Sequence, residues 1–259
     1  MLRERIKKIY LYRYTLWDMS LKQLKEKYAG SKLGLWWAVI SPLLLAISIN
    51  FVFTSVFKIN IPNYTLFILA GIMPWLFFSG ALGEATNSFI VNSSTLKQSI
   101  FPREFIPISS ILANLLNFLI GFIFLFPLFV ILNFRVLKLL PFLFPIIIFH
   151  FLFVLGLGLI FSLVNVFLRD LFPFLSIAFM VWFWITPVFY SLEMLSFPFR
   201  WICLFNPMTY YVILYQNILF QAEIPSLSLI FIALFISLLF FILGYIVFMK
   251  KEAMLLKRI

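Results

Sequence analysis

The chain predicts an all-α membrane protein with six transmembrane helices, an N-terminal amphipathic interfacial helix, and a re-entrant helical hairpin between spans 5 and 6. Three observations carry this. Hydrophobic residues make up 64% of the 259 positions and charged residues only 11%, against about 45–50% and about 25% in soluble domains. Six apolar runs are long enough to cross a hydrocarbon core of about 30 Å at about 1.5 Å per residue. A further apolar stretch, "FPFRWICLFNPMTYY", is cut by Pro198 and Pro207 into pieces too short to cross.

Residues 1–32 are polar and basic without an early apolar core, so no cleavable signal peptide is expected. Ile6, Ile9, Tyr10, Trp17, Leu21, Leu24 and Tyr28 recur at helical spacing, while Lys7, Lys8, Lys22 and Lys25 point elsewhere. Trp and Tyr suit a membrane interface and lysines suit anionic headgroups. The same charges also serve a plain positive-inside anchor, and both readings stand. Arg13 falls on the apolar face, which predicts a helix break at 15–18, where "TLWD" resembles a capping box.

The spans are predicted at 33–57, 64–90, 105–132, 141–168, 171–190 and 226–249, separated by turn chemistry such as "NIPN" at 60–63 and "RD" at 169–170. The third and fourth are joined by "NFRVLKLL" at 133–140. Pro198 removes a helix donor, and Asn206-Pro207 reads as a cap followed by a first helical position. A segment of this kind at 191–222 predicts a re-entrant pair, because apolar pieces this short neither span nor suit an aqueous loop. The alternative, one further span at 199–220, places Arg200 in lipid.

Charge arbitrates between them. With six spans and a cytoplasmic N-terminus, only Lys58, Arg135, Lys138 and Arg200 of the 20 Lys and Arg residues fall outside. A seventh span would carry "KKEAMLLKRI" outside and break the positive-inside rule. The net charge of +11 therefore follows membrane orientation, and no nucleic-acid partner is expected.

The sequence contains no "GxxxxGK[ST]" phosphate loop, no "HExxH" and no Cys/His cluster. "GLGLIF" at 156–161 lacks the third glycine of a dinucleotide fingerprint and reads as a helix-packing feature. The single cysteine, Cys203, reads as a packing thiol, and the single histidine, His150, as a helix-packing hydrogen bond. Glu84 lies toward the inner end of the second span, where a satisfied structural role is favoured over substrate contact. Uphill movement of anything through this chain therefore needs energy from another subunit.

Six segments in order resemble the membrane subunits of ABC-2 type polysaccharide exporters, the permeases for O-antigen (Wzm-like), teichoic acid and capsule. They are "LKEKYAGSKLGLWWAVISPLL" at 24–44, "NYTLFILAGIMPWLFFSGALGEATNS" at 63–88, "NSSTLKQSIFPREFIP" at 92–107, "NVFLRD" at 165–170, "ITPVFY" at 185–190 and "FNPMTYY" at 205–211. Ser94–Leu96 and Ser99 are more polar than that pattern. The resemblance implies that loop 91–104 forms a short coupling helix on an ATPase subunit, with Lys97, Arg103 and Glu104 as contacts. Arg169 and Asp170 mark a second, smaller contact.

The resemblance also implies re-entrant helices at the outer mouth, where Pro198, Arg200, Asn206 and Pro207 mark a gate. Sugar rings stack on aromatic planes, so Trp182, Trp184, Phe189 and Tyr190 are candidates to line a glycan conduit; an interfacial aromatic belt is the rival reading. The expected assembly is a homodimer with two ATPase copies, in which the partner binds ATP and Mg and this chain binds no cofactor. It would export undecaprenyl-linked polysaccharide from a bacterial inner membrane, among membrane lipids, with both termini cytoplasmic. Rival functions are ABC-2 export of a small drug or lipid, and an intramembrane enzyme acting on lipid-linked sugars. For the enzyme, the polar residues around Glu193 and Arg200 are too sparse.

Overall fold

The computed structural model describes residues 2–93 and 101–258, which contain helices, turns and irregular segments and no strand. In chain order the helices are α1 (Leu2–Leu11), α2 (Arg13–Lys27), α3 (Trp37–Ser55), α4 (Tyr64–Val91), α5 (Phe105–Leu132), α6 (Val136–Phe167), α7 (Leu171–Ile185), α8 (Phe199–Phe205), α9 (Pro207–Gln216) and α10 (Leu227–Arg258). Among the described residues, five helices are long and apolar enough to cross a membrane: α3 with its preceding turn, α4, α5, α6 and α10.

Helix α4 is the hub. It packs against α3, α5, α6, α7 and α9, and Ile68, Leu69, Phe78, Leu82 and Phe89 on it are fully buried. Helices α6 and α10 make the most extensive pairing in the chain. A Cβ on Gly156 would stand 2.2 Å from the Phe240 carbonyl oxygen, and one on Gly244 would stand 2.2 Å from the Gly156 carbonyl oxygen. Only glycine lets these backbones touch. A Cβ on Gly158 would meet Ile111 of α5 at 2.7 Å, so the "GLGLIF" run is the packing feature its sequence predicts.

Several boundaries differ from expectation. The predicted span 171–190 is helical only through Ile185. At 15 residues, α7 rises about 22 Å, less than the roughly 30 Å of a hydrocarbon core. The cause is Pro187: the residue before a proline avoids the α region, and Thr186 is extended at φ −87°, ψ 133°. Helix α6 starts at Val136 and runs through Pro141 and Pro145, so the 133–140 connection shrinks to a turn in which the Asn133 side chain accepts from the Arg135 amide. Helix α10 continues past 249 to Arg258.

The N-terminal break also moves. Helix α2 is continuous through 15–18, and the boundary falls at Tyr12. Arg13 is accommodated because its guanidinium lies over the rings of Tyr10 and Tyr14, at 4.1 and 4.5 Å. Helix α2 packs on α5 with Ser20 and Leu24 buried, while Tyr10, Tyr14 and Trp17 face outward.

Candidate functional site

At one end of the bundle, charged side chains tie three distant parts of the chain together. Arg5 of α1 donates from Nε and Nη2 to the two carboxylate oxygens of Glu104, at 2.6 and 2.5 Å. Its remaining nitrogen reaches Glu252 of α10 at 2.6 Å. Arg103 donates to the Glu252 carbonyl at 3.3 Å. Glu104 is fully buried and the Arg5 side chain is 16% exposed. Burial works against the Arg5 charge, but its hydrogen bonds to Glu104 and Glu252 outweigh it and hold its pKa above the ordinary value.

Of the predicted coupling residues, Glu104 is thus turned inward to brace the start of α5, in place of the surface contact expected for it. A buried carboxylate needs a partner, and Arg5 supplies one with matching fork geometry. Arg103 is partly exposed, and Lys97 lies outside the described residues, as do the other residues of 94–100 in the predicted coupling loop. Arg169 and Asp170 are exposed in the α6–α7 turn. The turn is secured by Asn165, whose side-chain oxygen accepts from the Phe172 amide at 3.2 Å, satisfying one free donor at the start of α7.

A second polar cluster holds α2 to the bundle. Lys27 Nζ donates to Glu84 at 2.9 Å and to Asn114 at 2.7 Å, and Asn114 donates to Glu84 at 2.6 Å. Tyr28 donates to Asn117, and Gln23 donates to Ser109 at 2.8 Å. Beside the cluster lies a cavity of ≈ 500 Å³, lined on its polar side by Lys27, Tyr28 and Asn117 and on its apolar side by Pro42, Leu76 and Phe118. Glu84 has the satisfied structural role expected of it.

The aromatic segment and residues 203–216 are tied together by side-chain hydrogen bonds, away from the Arg5 cluster. The side chain of Asn206 accepts from the Met208 amide at 2.9 Å and from Trp182 Nε1 at 2.7 Å, and donates to Thr186 at 2.8 Å. It is the N-cap of α9 with Pro207 at the first position, as its sequence predicts. Thr209 donates to the Cys203 carbonyl at 2.6 Å and Tyr210 to the Leu204 carbonyl at 2.8 Å. The bond to Leu204 satisfies a carbonyl near the C-terminal end of α8, and the bond to Cys203 adds to the one its carbonyl already accepts from the Asn206 amide.

The extended stretch 186–190 is secured the same way. Gln216 donates to the Pro187 and Val188 carbonyls at 3.1 and 3.3 Å, and Tyr64 donates to the Phe189 carbonyl. Tyr190 donates to the Trp184 carbonyl at 3.1 Å. Side chains from α4 and α9 thereby replace the hydrogen bonds that a helix would have made.

Three of the four aromatic candidates come together, with Phe189 5.0 Å from both Trp184 and Tyr190, while Trp182 meets Trp75 and Phe78 instead. Their exposure differs. Phe189 is buried, Trp182 is wedged against Trp75 and Phe78, and Trp184 alone of the four is largely exposed. Phe189 is thus packed inside the chain and Trp182 is half-buried, with the Phe189 carbonyl held by Tyr64 and the Trp182 indole by Asn206. Pro198 and Arg200 are exposed.

The contacts of residues 182–220 with α4 fall at successive levels along that helix. Trp182, bonded to Asn206, meets Phe78 at 5.0 Å; Gln216 and Val188 press on Gly71; Phe220 meets Phe67 at 5.4 Å. From Phe78 to Phe67 is about 16 Å along the helix axis.

His150 departs from expectation. Both its ring nitrogens lack hydrogen-bond partners among the described residues. It packs through its ring, 4.8 Å from Tyr211 and 5.0 Å from Phe77. Cys203 is buried and donates to the Ile185 carbonyl at 3.2 Å, in keeping with a packing thiol. The roles of Arg5, Lys27, Asn165 and Glu252 were not read from the sequence, since their partners lie up to 247 residues away.

Comparison with known proteins supplies the family. The sequence model of the ABC-2 type transporter family matches residues 14–220. Two proteins of Klebsiella pneumoniae, each called O-antigen export system permease protein RfbA, are 34% and 33% identical over 237 and 238 residues, 89% of this chain and 89% of each relative. A Myxococcus xanthus protein of the same name is 30% identical over 227 residues, 85% of this chain and 86% of the relative.

Proposed function

From the membership of this chain in the ABC-2 type transporter family, we propose that it is the membrane-spanning permease subunit of an exporter for lipid-linked polysaccharide of the O-antigen type. The observation that carries the reading is the O-antigen export permeases matched over 85–89% of the chain. The chain is a transport subunit. Two copies pair around a central path, and two copies of a partner ATPase bind and hydrolyse ATP with Mg. The cargo is polysaccharide on an undecaprenyl carrier, and the setting is a bacterial inner membrane with both termini in the cytoplasm.

In this reading the ATPase docks on the end that carries Arg5, Glu104 and Glu252. Lys97, Arg103, Arg169 and Asp170 are the contacts, and Glu104 acts one step behind them by fixing the loop's exit. Helix α1 and loop 91–104 move together because Arg5 joins them. A sixth crossing is made by α7 and the extended 186–189 together, which reach about 35 Å at helical and extended rises. The bond from Tyr64, the first residue of α4, to Phe189 supports this, since it sets the end of that segment level with the start of a spanning helix.

Residues 191–222 form the outer gate, dipping in along α8, turning at Asn206 and rising along α9. The climb of contacts from Phe78 to Phe67 supports the hairpin. Non-helical backbone at depth is tolerated where protein side chains satisfy it, as Asn206, Gln216 and Tyr64 do. The test is deletion of the gene in a host that displays O-polysaccharide. Surface polymer should vanish, with lipid-linked polymer building up inside, and return when chain and ATPase are both supplied. Unchanged surface polymer would sink the reading.

A further inference from the structure

At the end of the bundle opposite the Arg5 cluster, the α3–α4 connection borders an open cleft of ≈ 560 Å³, within the roughly 300–1,000 Å³ range of small-ligand sites. Asn50 and Thr54 of α3, one helical turn apart, form one wall; Lys58, Asn60, Asn63 and Thr65 form the other, with Ile59 and Ile61 between. No carboxylate lines it. The inner polar clusters of this protein are internally paired. In this cleft, by contrast, the side chains of Lys58, Asn60, Asn63 and Thr65 make no hydrogen bond to other described residues. The Asn50 side-chain oxygen is buried without a donor. Lys58 and Asn63 hold φ of 52° and 54°, which keeps the loop cupped.

We infer that this cleft is a sugar subsite, which holds one or two residues of the exported glycan at the outer end of its path. This deepens the proposed function and rests on it. Carboxamides both donate and accept, and so match the paired hydroxyls of a pyranose, which a point charge cannot do. Ile59 and Ile61 offer apolar surface to the ring's C–H face. A single lysine without a carboxylate accepts neutral or acidic sugars and excludes cationic ligands. The cleft adjoins the gate through Tyr64, which lines it and donates to the Phe189 carbonyl.

The test uses the full chain with its ATPase in a host that exports polymer. A photo-reactive benzoylphenylalanine replaces Asn60, an exposed residue without side-chain bonds, or Ile131, an exposed residue on α5 as control. After irradiation the purified chain is stained for glycan and weighed. A glycan ladder at position 60 and none at 131 is the expected result. An adduct of single phospholipid mass, a cross-link to a second copy, or no adduct while export continues overturns the subsite and leaves the exporter standing. If a host deleted for this chain still displays polymer, the exporter reading falls as well. In a second arm, N50L/T54V/N60L should lower surface polymer several-fold at unchanged membrane abundance and ATPase rate; wild-type export would overturn the subsite.

Discussion

Arg5 and Glu104 lie 99 positions apart in the chain and meet through two hydrogen bonds, which makes the N-terminal helix and the exit of the 91–104 loop one mechanical piece. Removing one partner of a buried ion pair costs about 3–5 kcal/mol, because the other charge is left without compensation. Arg5→Ala should therefore lower the melting temperature of the purified complex and uncouple ATPase activity from export. Arg5→Lys keeps the charge but loses the fork, and should fall between. An Arg5→Ala complex with wild-type melting and export would refute the linkage.

The same pair makes a pH prediction. A group whose folded pKa lies above its unfolded value stabilises at every pH below the unfolded pKa, and the gain is lost only as pH rises through the folded pKa. Arg5 should thus add no pH dependence to stability across about pH 6–9, and Arg5→Lys, which keeps a cation beside Glu104, should run parallel to wild type in thermal melts across that range.

Lys27 and Glu84 supply the contrast. Their side chains are 31% and 45% exposed, and exposed pairs contribute about 0–1 kcal/mol. Lys27→Met should cost far less than Arg5→Ala in the same melt. An equal loss would mean that this cluster is more desolvated than its exposure implies.

Asn206 joins the cap of α9, the Trp182 indole and Thr186. Asn206→Leu removes a cap, about 1 kcal/mol, and strands a buried indole N–H, about 1–3 kcal/mol. Under the proposed assignment of 191–222 as outer gate, the mouth should loosen, read as leak of a small dye into vesicles containing the complex. Asn206→Asp keeps both accepted bonds and should leak less.

Gly156 and Gly244 allow α6 and α10 to touch, and any Cβ there meets backbone that cannot swing aside. Gly156→Val should cost at least the roughly 1–3 kcal/mol of an overpacked core and lower membrane abundance on immunoblots. A Cβ on Gly83 would meet only Phe179, at 3.7 Å, so Gly83→Ala is the tolerated control.

Span existence was legible where an apolar run had no internal break: α4 and α5 lie within one residue of their predicted limits. The Asn206-Pro207 cap was legible too, because a cap is local chemistry. The early end of α7 had its signal in Pro187, which the hydropathy of the run concealed. The inward turn of Glu104 had no local signal, since its partner comes from another segment.

Membrane residence, the glycine contact and the break around Asn206 follow from residue type and neighbours in sequence, because hydropathy and backbone sterics act over a few residues. Only the tertiary structure decided that Glu104 meets Arg5, that Phe189 is buried and that the carbonyls of 187–189 are capped by Gln216 and Tyr64. A charge or a carbonyl has many admissible partners along a chain. Which one it takes is set by the packing of helices that the local sequence does not encode.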